Sequence, residues 1–161
     1  MKPTLVEKMK ESLDDAREEL KRVDHLIYVS LKYTRTVDVL LNVIKRLIDA
    51  YDFAIDAILK YAQEKGMISD EIPVSPLSRA DLVLKTFHDP VIKDNMELYL
   101  LFRKIVKADY ERFNEYRRHV TLKTIIDNKD IEIKIDNVTD YYNIIKEFVK
   151  YIDSLINETE E

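Results

Sequence analysis

The chain has 161 residues, a formal net charge of −5, no Cys, no Trp, one Gly and four Pro. That length suits one domain with its own core. The missing cysteines exclude disulfides, thiolate metal sites and a cysteine nucleophile, and the lone Gly66 excludes the glycine-rich phosphate loops and nucleophile elbows, which need several glycines.

Residues 1–12 hold no apolar stretch of signal-peptide type, and no apolar run approaches the length of a membrane span. The chain therefore reads as a soluble, cytoplasmic protein with no membrane association. Its Lys- and Glu-rich composition is thermophile-like. Charge is unevenly spread: Tyr99–Lys123 carries seven cations against three carboxylates, net +4, whereas residues 124–161 carry −6.

The first helix starts at a capping box, Thr4 with Glu7. Leu13, Ala16, Leu20, Val23 and Ile27 form a narrow seam of coiled-coil type. That seam makes the charged portion 1–24 the element expected to extend to a second protomer. The β-branched run Tyr33-Thr34-Arg35-Thr36-Val37 predicts a break. A second helix follows with a broad stripe including Val37, Leu40, Ile44, Leu47, Ile48, Tyr51, Ile55 and Ile58, closed by Gly66.

Met67–Leu77, with Pro73 and Pro76, reads as a loop, and Ser78 with Asp81 predicts a short helix ending near Phe87. Asp89-Pro90 starts a long helix expected to reach Val120. Period-two alternation in Thr124–Ile126 and Ile131–Ile135 around Asp127-Asn128-Lys129-Asp130 predicts a small hairpin or extended excursion over 124–136. Asn137 is expected to cap a last helix facing inward through Tyr141, Ile144, Ile145, Phe148, Ile152 and Leu155, and the tail 157–161 is expected to fray. The predicted fold is an all-α antiparallel bundle of four main helices and one short one, a single domain over 1–161.

Candidate chemistry is sparse. His25, His88 and His119 are preceded at three residues by Arg22, Lys85 and Tyr116, so the Glu-x-x-His units of a dinuclear bundle are missing. On the expected helix Glu111, Glu115 and His119 share a face, which reads as a solvated stripe, so no metal and no cofactor are expected. His25 and His88 read as structural.

The remaining constellation is Arg112-Phe113-Asn114-Glu115-Tyr116-Arg117-Arg118-His119. On a helix Arg112 and His119 lie two turns apart on one face, about 10 Å along the axis. An arginine to hold a phosphate and a histidine to exchange protons suffice for metal-free RNA cleavage, in which the 2′-hydroxyl is the nucleophile. The cations also suit the last turns of a helix, where they complement its dipole. The aromatic residues Tyr99, Phe102, Tyr110, Phe113 and Tyr116 suit a core or an interface.

Arg112-x6-His119, late in a helical bundle of this size, resembles the HEPN superfamily. Where that family usually carries a polar residue after the arginine, this chain has Phe113. The resemblance implies a homodimer whose paired Arg112 and His119 form one metal-independent ribonuclease site of the defence or toxin kind. Arg117 and Arg118 would steer the RNA, and Glu115 or Tyr116 would orient the histidine. It implies equally an alternative: a catalytically silent interaction or nucleotide-binding module, with a nucleotidyltransferase as a conceivable protein partner.

Overall fold

The computed structural model describes residues 2–69 and 71–160. Four long helices and a short one enclose the core, and a three-stranded antiparallel sheet is inserted before the last helix. The expected all-α architecture is thus right for most of the chain and incomplete for residues 110–133.

Helix α1 (Leu5–His25) begins at the expected capping box: the Glu7 amide donates to Thr4 Oγ1 at 3.1 Å and the Thr4 amide to Glu7 Oε2 at 3.2 Å. Beyond His25 the helix widens into a π-helical turn, Leu26–Ser30, and closes with one α-helical turn, α2 (Leu31–Tyr33). The chain breaks at Thr34–Thr36, within the β-branched run. Helix α3 (Val37–Glu64) then folds back along α1, with the Thr36 hydroxyl accepting the Val39 amide at 3.3 Å. Leu13, Ala16, Leu20, Val23 and Ile27 are all buried, and α1 packs chiefly on α3. The seam expected to reach a second protomer is therefore occupied within the chain.

Gly66 ends α3 at φ 70°, where the Met67 amide reaches the Ala62 carbonyl at 2.9 Å and the Gly66 amide the Gln63 carbonyl at 3.0 Å. These paired bonds are a Schellman motif, and its left-handed position suits glycine. Helix α4 (Pro76–Thr86) starts two residues before Ser78, with Ser75 as N-cap and Pro76 in the first turn. That shortens the expected loop, whose residue 70 lies outside the described residues. Helix α5 (Pro90–Lys107) is capped by Asp89, which accepts the Val91 amide at 2.8 Å.

Helix α3 is central, touching α1, α4, α5 and α6. Tyr51 is its aromatic hub, with ring centroids 5.7 Å from Tyr99 and 5.8 Å from Phe148. Its hydroxyl donates to Asn95 Oδ1 at 2.7 Å, so the buried phenol keeps a partner.

The main departure from expectation lies after Lys107. Helix α5 stops there instead of at Val120, and the chain enters β1 (Tyr110–Phe113), β2 (Thr121–Ile126) and β3 (Lys129–Ile133), in sheet order β1-β2-β3. Tyr110 pairs with Thr124 and Phe113 with Thr121, while Leu122 pairs with Ile133. The expected hairpin is β2–β3; its turn is Asp127-Asn128, with φ 51° and 65°, the two left-handed positions of a type I′ turn. The sheet buries Leu122, Thr124, Ile126 and Ile133 and presents Lys123 and Ile125 outward. Pairing across ten or so residues thus overrides the helical propensity of 110–119.

Helix α6 (Ile135–Glu160) starts two residues before Asn137. Asn137 Oδ1 accepts the Lys134 amide at 2.9 Å, reaching back from the third helical position. Its buried face is Val138, Tyr142, Ile145, Phe148, Val149, Ile152 and Ile156, and Ile144, expected inside, is exposed. The helix extends through most of the tail expected to fray; Glu161 lies outside the described residues.

Candidate functional site

Because α5 ends early, Arg112 lies on a strand and His119 at the end of the β1–β2 connection, residues 114–120. They are not two turns apart on one helix face. Strand alternation puts Arg112 on the side of Tyr110, 5.4 Å above its ring centroid, and Glu111 opposite Lys123. Glu111, Glu115 and His119 accordingly share no helical stripe. Among the described residues no group of three or more His, Asp or Glu side chains is arranged to hold a metal ion.

Arg112 is committed to protein carboxylates. Its guanidinium donates to Asp38 Oδ1 at 2.8 Å, to Glu115 Oε1 at 3.3 Å and to the Tyr110 hydroxyl at 3.1 Å. The hydrogen bond to Asp38 raises Arg112 further above its ordinary range and holds the Asp38 carboxyl below the usual one. Glu115 uses its other oxygen, Oε2, to accept the Val37 amide at 3.0 Å, an orphan donor of the first turn of α3. The Tyr116 amide donates to the Arg35 carbonyl at 2.6 Å. Arg112 and Glu115 therefore clamp the β1–β2 connection onto the break between α2 and α3. Glu115, expected to orient the histidine, serves a helix terminus instead.

His119 is exposed, and its carbonyl accepts the Thr121 hydroxyl at 2.7 Å. Its side chain lines an open cleft of about 450 Å³ between the π-helical turn, α2 and the start of α6. Arg118 lines the same cleft, with Lys32, Arg35, Lys134, Asp136 and Tyr28. Arg112 does not line it, and neither do Arg117 and Tyr116, which are exposed on the same connection.

The cleft is cationic in an acidic protein, with Lys32, Arg35, Arg118 and Lys134 facing one carboxylate, Asp136. Lys134 lies 3.7 Å from Glu132; Lys32, Arg35 and Arg118 form no ion pair among the described residues. Arg35 Nε is buried and makes no hydrogen bond, a costly condition for a polar group. Elsewhere the basic stretch of the sequence is paired in part: Lys104 pairs with Asp127 at 2.7 Å and Lys123 with Glu132 at 3.2 Å. Of the residues read from sequence, Arg118 and His119 thus line one cleft. Lys32, Arg35 and Lys134 were missed, since they are brought together only by the docking of the sheet onto the helix break.

A second polar cluster was also missed. Asp52 and Asp56, one helical turn apart on α3, face a groove of about 640 Å³ between α1, α3 and α4. Asp56 accepts from Ser12 at 2.5 Å, Lys60 at 2.6 Å and Arg79 at 2.8 Å. Burial pushes the Asp56 carboxyl up, but the three hydrogen bonds outweigh it and hold the group below the usual range. Asp52 accepts from Tyr99 at 2.5 Å, and there burial prevails and raises the carboxyl. The spacing of these aspartates within an apolar helical stripe was the signal for this cluster.

No protein-family model matches the chain, and neither a curated protein nor a solved structure matches it. No described helix is long and apolar enough to cross a membrane.

Proposed function

We propose that this domain is a binding module for a phosphate-bearing ligand of the nucleotide or nucleic-acid class, taken in the cleft beside His119. The observation that carries the reading is the grouping of Lys32, Arg35 and Arg118 around one cleft without carboxylate partners in a chain of net charge −5. Guanidinium groups are suited to phosphate oxygens by their planar fork of donors. Arg112, by contrast, has its donors directed at Asp38, Glu115 and Tyr110. A phosphate there would have to displace two carboxylates.

The metal-independent ribonuclease stays as a second reading in altered form, because His119 and Arg118 line the same cleft. In that form Arg118 or Arg35 holds the phosphate and His119 exchanges the proton, with Arg112 as support. A homodimer, implied by the resemblance, belongs to this proposal too; it would use a surface other than the α1 seam, which is buried.

Salt-dependent binding of inorganic polyphosphate tests the first reading. About four phosphate contacts correspond to a slope of log affinity against log salt near −3, and Arg118→Ala is expected to lower it by about 0.7. Absence of binding at low salt would reject the proposal. Incubating labelled RNA with the protein in EDTA separates the second reading: no cleavage is expected, and cleavage lost in His119→Ala would establish the ribonuclease instead.

A further inference from the structure

Helix α6 carries two seams of the same period. Val138, Tyr142, Ile145, Val149, Ile152 and Ile156 recur at spacings of four and three and are buried against the bundle. Asp140, Ile144, Glu147 and Tyr151 recur at the same spacings on another side of the helix, where Ile144 is 44 % exposed. On α5, Val91 is 42 % exposed. Val91 and Ile144 line one open groove between the two helices, about 530 Å³ in volume, together with the buried Phe148. Single exposed apolar side chains are ordinary on a protein surface. Two of them, on separate helices at one groove, form a continuous apolar surface with Phe148.

The groove is preformed. Asp89 accepts the Val91 amide at 2.8 Å through Oδ1 and the Tyr151 hydroxyl through Oδ2, which ties the start of α5 to α6. Asn95, also in the lining, donates its side-chain amide to the Val91 carbonyl at 2.8 Å and accepts the Tyr51 hydroxyl at 2.7 Å. These polar groups are already partnered, so the groove offers a ligand chiefly apolar surface. Its surroundings are acidic. Glu147 lines it, and no cation does among the described residues. Asp94, one turn after Val91, and Asp140, one turn before Ile144, are exposed and form no ion pair among the described residues. The cations nearest along the two helices, Lys93 and Lys150, are paired with Glu97 at 4.0 Å and with Glu147 at 3.3 Å.

We infer that this groove docks a basic amphipathic helix of a protein partner, its apolar stripe against Val91, Ile144 and Phe148 and its Lys and Arg residues beside Asp94, Asp140 and Glu147. The α6 wall from Asn143 to Tyr151 is about 12 Å long, two turns of helix. That length fits apolar anchors at i, i+4 and i+7, by which amphipathic helices occupy grooves. Charge selects the sign of the partner. An acidic helix would meet carboxylates from both α5 and α6, whereas a basic one is drawn in by them and by the net charge of −6 over residues 124–161. The chain does not supply this helix from its own basic stretch, which turns into strand β1 at Tyr110, nor from the seam of α1, which is buried. The groove shares no lining residue with the cationic cleft, so this docking goes beyond the phosphate-binding reading and stands apart from it.

Fluorescence anisotropy with the full chain tests this, using a labelled helical peptide of about 18 residues with leucines at i, i+4 and i+7 flanked by lysines. The controls are a scrambled peptide of the same composition and the amphipathic peptide with glutamates in place of the lysines. The basic amphipathic peptide is expected to bind about tenfold tighter than either control. Ile144→Ser and Val91→Ser, both at exposed positions, are each expected to weaken it about tenfold, the loss of one aliphatic contact. Asp94→Asn combined with Asp140→Asn is expected to flatten the salt dependence of binding. Affinity for inorganic polyphosphate should be unchanged in the two serine variants, which separates failure at the groove from failure at the cleft. Equal binding of the scrambled peptide, full affinity in Ile144→Ser, or no binding of the basic peptide at low salt would each overturn the inference. Self-association of the chain that Ile144→Ser abolishes would overturn it too, by assigning the groove to a second copy.

Discussion

The groove above Asp52 and Asp56 and the cleft beside His119 are both open and both charged, yet they dispose of charge in opposite ways. In the groove Asp56 takes three donors from within the chain, on α1, α3 and α4, and Asp52 takes the Tyr99 hydroxyl. In the cleft Lys32, Arg35 and Arg118 are left without carboxylates. Groups that satisfy one another are set to hold helices in register, and groups left over are available to a ligand. A shifted carboxylate that is held by its neighbours is therefore a weaker pointer to a ligand site than a cation left without partners.

The comparison is broken most directly at Asp56. Asp56→Ala removes the acceptor shared by Ser12, Lys60 and Arg79 and leaves two largely shielded cations unpaired. Loss of about 2–3 kcal/mol of stability is expected, since breaking such a network strands its remaining charges. Urea unfolding would show it as a lower midpoint at unchanged slope, with affinity for polyphosphate unchanged. If Asp56→Ala instead abolished ligand binding in a folded protein, the groove would be a site and the contrast would fail.

Protonation of the two aspartates sharpens the same contrast. Asp52 is raised by burial, so the folded state takes up a proton before the unfolded chain does. Its contribution is fully present below the ordinary aspartate range and is lost as pH rises through the raised value. Asp56 is lowered, so its contribution is present above the ordinary range and is lost as pH falls through the lowered value. Acidification from neutral should therefore first relieve the cost of charged Asp52 and later dissolve the Asp56 network. Burial raises Asp49 as well, so Asp52→Asn should shrink the first, stabilising limb of a plot of urea midpoint against pH and leave the second. A profile unaltered by Asp52→Asn would show that burial of that carboxylate has no such cost.

These features differ in how far sequence alone exposes them. Caps and seams are local: Thr4 with Glu7, Asp89-Pro90, Gly66 and the Leu13–Ile27 stripe each act within a turn or two, and each sits in the structure as the spacing implies. Strand β1 is not local. Tyr110–Phe113 contains no breaker, and α5 ends at Lys107 without Gly or Pro to mark it. Only the pairing with Thr121–Thr124 selects the extended form. The cleft is still less legible, for Lys32 and Arg35, Arg118, and Lys134 lie on three separate stretches of chain and meet through the docking of the β1–β2 connection. Arg112 and His119 were singled out because they are near in sequence, and the reversal of the chain between them is what parts their roles.

Arg112 is the residue on which that separation can be tested with the smallest perturbation. Its ring of partners, Asp38, Glu115 and Tyr110, spans the N-terminus of α3 and the connection that carries His119. The Asp38 side chain is largely in solvent and that of Arg112 is partly so, so replacement should cost little global stability. Arg112→Ala should loosen the connection locally, read as faster amide hydrogen exchange at Val37 and Tyr116, whose hydrogen bonds to Glu115 and to the Arg35 carbonyl depend on it. Arg112→Lys keeps the charge but not the fork, and it should restore exchange protection only in part. Affinity for polyphosphate should fall far less in Arg112→Ala than in Arg118→Ala, because Arg118 lines the cleft and Arg112 does not. The reverse order, with Arg112→Ala the more damaging to binding and exchange at Val37 unchanged, would return Arg112 to the ligand and leave the clamp without a role.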